Sequence, residues 1–308
     1  MKTYPDGVWP VMLTPYLSNG SVDHEGLKRL SAWYASHRVD GLFAACQSSE
    51  IFHLSALERA AVVSTVVRAV DGAMPVVASG HVSERVEDTL EEMRRMEDAG
   101  ADAFILISNR LATHEEKDDL WLERMGEIVG RSDMDLGIYE CPYPYKRLLS
   151  LDVLKACAQS NRFFFLKDTC CDAARIAQRA ACLSGSTMKL FNANSATLLA
   201  SLRSGAAGFS GIMANFHPEL YVWLCRHPWD KNAQEVQHLL TLASMAEHLC
   251  YPVCAKYHLK EFAGLPIEIS SKTANAQLFT PADREIVRQI AEASHYAYSQ
   301  YCGEEDGK

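Results

Sequence analysis

The chain has no run of the roughly 20 apolar residues that a bilayer crossing takes, which excludes a helical membrane span. It has no basic stretch either. Thirty Lys and Arg stand against 39 Asp and Glu, a formal net charge of −9. Nucleic acid and anionic membrane surfaces are therefore poor partners, although a local site on an acidic body can still be positive. The start, MKTYPDGVWPVMLTPY, lacks the long apolar core of a signal peptide. None of the ten cysteines is paired as C-x-x-C, so they read as reduced thiols in a cytoplasmic protein. Cys250 and Cys254 with nearby His248 come nearest to a metal motif. The Tyr-Pro-Val between the two cysteines reads as packing, and zinc sites carry tighter ligand clusters, so no metal is expected. There is no low-complexity linker and no internal repeat beyond a strand–helix period.

What is present is 308 residues of ordinary globular composition, 48% hydrophobic and 22% charged, enough to bury a large core. That length fits two domains, but α/β barrels use about 250 residues as one. Eight short apolar runs lie at 7–14, 41–46, 75–80, 103–108, 135–141, 163–168, 189–193 and 208–212. They are nearly continuous, as strands covered on both faces of a parallel sheet are. Helical patterns separate them. Ser55 to Glu58 has capping-box spacing and opens a helix through Val70. Val86, Leu90 and Met93 stripe an otherwise charged helix that Gly100 ends. Ser150 is placed as an N-cap before 151–159. The alternation predicts an α/β fold, a (β/α)8 TIM barrel with a C-terminal helical extension; the count alone leaves a doubly wound sheet open. Helical patterns at 217–226, 231–250, 252–261 and 282–300, the last begun by Thr280-Pro281, are too much for one closing helix. The expected organisation is a barrel over 1–226, a helical extension packed on it over 227–302, and a disordered tail at 303–308.

Active sites of such barrels lie at the C-terminal strand ends. Lys167 follows Phe163-Phe164-Phe165-Leu166, the most apolar strand. An amine held in a barrel interior loses hydration, its pKa falls, and the neutral form attacks a ketone to give an imine. The plainer alternative is a lysine paired with Asp168 or reaching water. Tyr139 ends the preceding strand, where a phenol can relay protons or simply fill the barrel mouth. Gln47-Ser48-Ser49-Glu50 follows the second strand. Small hydroxyl residues at such a turn can donate to a carboxylate or serve only the turn, and Glu50 can hold the loop. Cys46, Cys141, Cys170 and Cys171 at strand ends read as small packing residues.

Together these residues resemble the family of dihydrodipicolinate synthase and N-acetylneuraminate lyase along nearly the whole chain. The matching segments, in order, are Leu13-Thr14-Pro15-Tyr16 with Gly20-Ser21-Val22-Asp23; Gly41-Leu42, Cys46 to Glu50, Leu54-Ser55 and Glu58-Arg59; Tyr139-Glu140-Cys141-Pro142; Leu166-Lys167-Asp168; and Gly205 to Gly211. The resemblance implies a Schiff base between Lys167 and the keto carbon of pyruvate or another 2-keto acid, with Tyr139 as general acid/base. It implies that Ser48 and Ser49 bind the keto-acid carboxylate, that Ser48 also hydrogen-bonds Tyr139, and that the Ser210 carbonyl faces the substrate. The covalent imine needs no cofactor. The family also implies a homotetramer built as a dimer of dimers.

The departures bear on the second substrate. Cys46 to Glu50 replaces the family's G-T-T-G-E, losing both glycines and the first hydroxyl. Ser108-Asn109-Arg110-Leu111 lacks the tyrosine that a neighbouring subunit supplies in the dihydrodipicolinate branch. Pro144 stands where that branch has an arginine for the second carboxylate, with Lys146-Arg147 just beyond. The sugar-binding G-x-D-E segment of the neuraminate branch reads Ala193-Asn194-Ser195. The resulting reading is an aldolase or dehydratase acting on a 2-keto acid, with Gln47, Glu140, His81 and Asn194 around the variable part of the substrate. The alternatives are a synthase condensing pyruvate with an aldehyde, and a keto-acid-binding sensor without turnover.

Overall fold

The computed structural model describes residues 4–302. The 303–308 segment, read as a disordered tail, lies outside the described residues. Eight strands, β1 (Gly7–Val8), β2 (Leu42–Ala44), β3 (Val76–Ala78), β4 (Ala103–Ile107), β5 (Asp135–Tyr139), β6 (Phe163–Asp168), β7 (Lys189–Asn192) and β8 (Gly208–Phe209), form one parallel sheet in the order β1-β8-β7-β6-β5-β4-β3-β2. A parallel bridge from Val11 to Phe43 of β2 closes the circle, so the (β/α)8 barrel is the architecture and the doubly wound alternative falls.

The first strand is shorter than its apolar run because Pro10 has no N–H to give the ladder. Its carbonyl still accepts from Phe43 N at 3.0 Å, and Met12 N donates to the Phe43 carbonyl at 3.0 Å. At the seam between β1 and β8, a Cβ on Gly208 would lie 1.8 Å from the Gly7 carbonyl oxygen. Only a glycine lets the two backbones come that close.

Helices cover the sheet: α1 (His24–Ser36), α2 (Ala56–Val70), α3 (Val86–Asp98), the short α4 (Ser108–Leu111), α5 (Asp118–Arg131), α6 (Leu151–Gln159), α7 (Ala173–Leu183) and α8 (Leu198–Arg203). Then follow α9 (Pro218–Arg226), α10 (Ala233–Ala243), α11 (Val253–Glu261) and α12 (Pro281–Ala297). The start signals act as read. Ser55 forms a full capping box with Glu58, Ser150 accepts from Val153 N, and Thr280 caps α12 with Pro281 in its first turn. The pattern over 231–250 breaks into α10 and a 3-10 turn at Ser244–His248. There the Thr241 and Ser244 hydroxyls bond back to the Gln237 and Thr241 carbonyls, a local alternative to the helix ladder.

Strand alternation then sorts the side chains. On β6, Phe165 and Lys167 point into the barrel. Phe165 stacks on Phe191 at 4.3 Å and meets Trp9 edge-on at 5.5 Å. Asp168 points outward to α7. At the end of β5, Tyr139 points inward, and Glu140, the next residue, points outward. Arg179 of α7 receives both outward carboxylates. It grips Glu140 with two hydrogen bonds of 2.8 Å, bonds Asp168, and donates to the Leu149 carbonyl at 2.8 Å. All three side chains are buried. Tyr139 and Lys167 are register partners, so this ion triad clamps the strand ends that carry them. Removing one partner of a buried ion group leaves uncompensated charge. Arg179→Met should destabilise the protein by about 3–5 kcal/mol, read as a lowered denaturation midpoint; an unchanged midpoint would show that the clamp is not needed.

Candidate active site

A cavity of about 460 Å³ opens at the C-terminal strand ends, lined among others by Gln47, Ser48, Tyr139, Lys167, Gly211 and Tyr251. Lys167 is at its floor, 3% exposed, with Nζ 4.2 Å from the Tyr139 ring centroid and 5.9 Å from that of Phe43. Phe43, Phe165, Phe191 and Trp9 pack as an aromatic plug beneath it. Burial lowers the amine to about 8, against the opposite pull of the Cys46 and Cys141 thiols. The pairing with Asp168 weighed from the sequence does not form, because Asp168 faces the other way, onto Arg179.

Tyr139 is held as a neutral phenol. Burial pushes its pKa well up, with lesser contributions from Cys141 and Cys46. Its hydroxyl donates to Gln47 Oε1 at 3.0 Å, an atom that also accepts from Cys141 Sγ at 3.3 Å. Ser48 was expected in this role. The 3-10 turn Gln47–Ser49 instead places residue 47 against the tyrosine and Ser48 on the pocket wall. Ser49 also departs from expectation. It is fully buried; its hydroxyl donates to the Met12 carbonyl at 2.6 Å and accepts from Cys46 N at 3.1 Å, so it fastens the loop and is not in the pocket lining.

Glu140 does not line the pocket; it is spent on Arg179, Leu149 N and Thr169 N. His81 is fully buried away from the cavity. Its Nδ1 accepts from Ile107 N at 2.9 Å, Nε2 meets Thr89 Oγ1 at 3.2 Å, and burial lowers its pKa to about 3, so it stays neutral. Asn194 caps the turn Ser195–Thr197 by accepting from Thr197 N at 3.1 Å, leaving Ala193 as the lining residue of that segment. Ser210 is buried, its hydroxyl on the Trp9 carbonyl at 2.9 Å, while Gly211 and Ile212 reach the pocket. Lys146 donates to the Thr169 carbonyl, and Arg147 to the Glu116 carbonyl and Asp118. Asn109 donates to the Cys141 and Tyr143 carbonyls, 3.0 Å each, and so shapes the loop after β5.

Glu50 does hold the loop, from an unforeseen direction. In a left-handed conformation with φ 60°, it pairs with Lys256 of α11 at 3.1 Å and accepts from Ser271 Oγ and from Lys272 and Thr273 N. The C-terminal region thereby supplies Tyr251, Pro252 and Thr273 to the pocket. The Tyr251 hydroxyl is buried beside the Ser48 hydroxyl, so the two stand together on the pocket wall. The sequence reading missed these residues because no spacing ties them to strand ends; the Tyr-Pro-Val run carries no chemical signal.

All ten cysteines are free thiols. Among the described residues, no cluster of three or more His, Cys, Asp or Glu is arranged to hold a metal ion, and no helix is long and apolar enough to cross a membrane.

The model of the dihydrodipicolinate synthetase family matches residues 4–269. A 4-hydroxy-tetrahydrodipicolinate synthase of Methanothrix thermoacetophila is 25% identical over 269 residues, 85% of this chain and 90% of the relative. One from Jannaschia sp. is 27% identical, covering 70% of this chain and 72% of the relative. Among solved structures, a prophage protein of the dihydrodipicolinic acid synthase family from E. coli K12, in complex with pyruvate, superposes with TM-score 0.84 at 19% identity, over 94% of this chain and 98% of that one. A Clostridium difficile protein in complex with mannosamine gives TM-score 0.83 at 17% identity, over 94% and 99%.

Only the neutral amine is a nucleophile. With Lys167 lowered to about 8, kcat/KM for a keto acid should rise roughly tenfold per pH unit up to about pH 8 and then level off. A profile flat from pH 6 to 8 would contradict the assigned amine.

Proposed function

The chain belongs to the dihydrodipicolinate synthetase family, and on that premise we propose that it is a Schiff-base lyase acting on a 2-keto acid through Lys167. The observation that carries the proposal is the buried amine, lowered to about 8 and set over the ring of a protonated tyrosine at the floor of the cavity. The Ser48 and Tyr251 hydroxyls, side by side on the pocket wall, hold the keto-acid carboxylate beside it.

The amine adds to the keto carbon, and Tyr139 donates the proton with which the carbinol oxygen leaves as water. Iminium and phenolate then face each other. In aldol cleavage the phenolate takes the C4 hydroxyl proton, the C3–C4 bond breaks, and its electron pair moves to the iminium nitrogen. The resulting enamine takes the proton back at C3, and water releases the keto acid. The imine nitrogen is the electron sink, so the chemistry needs no metal or bound cofactor. The changed positions Gln47 and Leu111 motivate the sensor alternative, yet Gln47 accepts the Tyr139 hydrogen bond that was expected of Ser48. An amide oxygen accepts that bond but does not relay its proton onward, so proton exchange in this site runs between Tyr139 and the substrate. Synthase-type condensation is the same sequence reversed.

Incubation with pyruvate and borohydride followed by mass spectrometry should give a reduced adduct on Lys167, and Lys167→Ala should lose both adduct and turnover while keeping its fold. An adduct elsewhere, or none, refutes the imine.

For the assembled protein we propose a cytoplasmic homotetramer, a dimer of dimers, on the strength of the family relationship. Light scattering should report about four chain masses; a monomer or dimer at working concentration would refute it.

A further inference from the structure

The cavity is larger than a keto acid needs, since a volume of about 460 Å³ is within the range of sites for drug-sized ligands. The apolar part of its lining is mainly Phe52, Pro142, Tyr143, Ile212, Tyr251 and Pro252, beside uncharged polar groups such as Thr169 and Thr273 and the Glu50 carboxylate. Tyr143 is half-exposed and lies 4.8 Å from the Phe52 ring. Asn109 fixes its loop, so two aromatic faces stand ready at the mouth.

Apart from Lys167 and His53, no cationic side chain is in the lining. Lys146 donates to the Thr169 carbonyl at 2.7 Å, and Arg147 is bound to Asp118 at 2.8 Å. Arg110 packs over the Phe52 ring, 5.0 Å from its centroid, and pairs with Glu84 at 3.1 Å through one guanidinium nitrogen, its Nε being buried without a partner, but it is not in the lining. Lys256 pairs with Glu50. Lys272 pairs with Glu58 at 3.6 Å and lies over the Tyr16 ring. The one lysine in the lining, Lys167, is consumed by the imine, and His53 sits exposed at the rim. A second carboxylate in this cavity would lose its hydration against apolar rings with no guanidinium or ammonium to replace it. An aryl or bulky alkyl group would bury apolar surface and meet the Tyr143 and Phe52 rings.

We infer that the second reactant is a neutral aldehyde carrying an aromatic or bulky apolar group, and that the substrate in the cleavage direction is the matching 4-hydroxy-2-oxo acid. This rests on the Lys167 imine proposed above. The reaction balances without a co-reactant: the hydroxyl proton leaves, C3–C4 breaks, C4 becomes the aldehyde carbon, and C3 gains a proton to give pyruvate.

The test is the condensation of pyruvate with benzaldehyde against succinic semialdehyde by the unsubstituted 308-residue chain, with borohydride trapping of pyruvate run alongside. Benzaldehyde should be favoured in kcat/KM by at least about a hundredfold. Tyr143→Arg, which places a cation at the mouth, should narrow that ratio about tenfold or more by raising semialdehyde turnover. An adduct on Lys167 with equal rates, with preference for the semialdehyde, or with neither aldehyde turned over would overturn the inference and leave the imine standing. Absence of the adduct would bring down the imine and this inference together.

Discussion

Arg179 holds Glu140 and Asp168 in one buried ion cluster, and the reactive geometry depends on it. Each carboxylate is the chain neighbour of a site residue, Tyr139 on β5 and Lys167 on β6. Because successive strand side chains face opposite ways, fastening both carboxylates outward obliges the phenol and the amine to face inward, opposite each other in register. Three charges out of water are costly, and the hydrogen bonds from Arg179 to both carboxylates and to the Leu149 carbonyl repay the cost only if the set is complete. The same contacts tie α7 and the 149–151 segment to the barrel rim, so the clamp joins fold and site.

Under that pair lies the second constraint, the aromatic floor. Phe165, Phe191, Phe43 and Trp9 exclude water from below, and the protonated amine loses more by this than the unprotonated one. The same desolvation keeps Tyr139 protonated. One environment therefore pushes a base toward its free form and an acid toward its protonated form, the combination that imine formation uses. Gln47 completes it by accepting the phenol's hydrogen bond, in a position where the sequence analysis had assigned the bond to Ser48.

The upper half of the site comes from further along the chain. Glu50, strained into the left-handed region, reaches Lys256 and the backbone at 272–273, and this bond set brings Tyr251 and Thr273 over the strand ends. The alternation of strands and helices, the capping box at Ser55, the N-cap at Thr280, and the placement of Lys167 and Tyr139 at the ends of β6 and β5 were legible, since each depends on local pattern. Phe52, Tyr251 and Thr273 were not, because pocket membership there arises from contacts between segments some 200 residues apart in the chain.

The sequence by itself determined the alternation of strands and helices, the class of fold, the family, and the amine–phenol pair. Only the tertiary structure decided which strand-end residues face the cavity. His81, Glu140 and Asn194 all belong to strand-end segments, yet their side chains are spent on Thr89, Arg179 and Thr197 respectively. The physical reason is that a parallel barrel strand is covered on both faces, by core on one side and helices on the other, so apolar residues occupy both. The period-2 pattern that would assign inside and outside is erased, and the direction of each side chain is settled only by the partners that the assembled barrel brings to it.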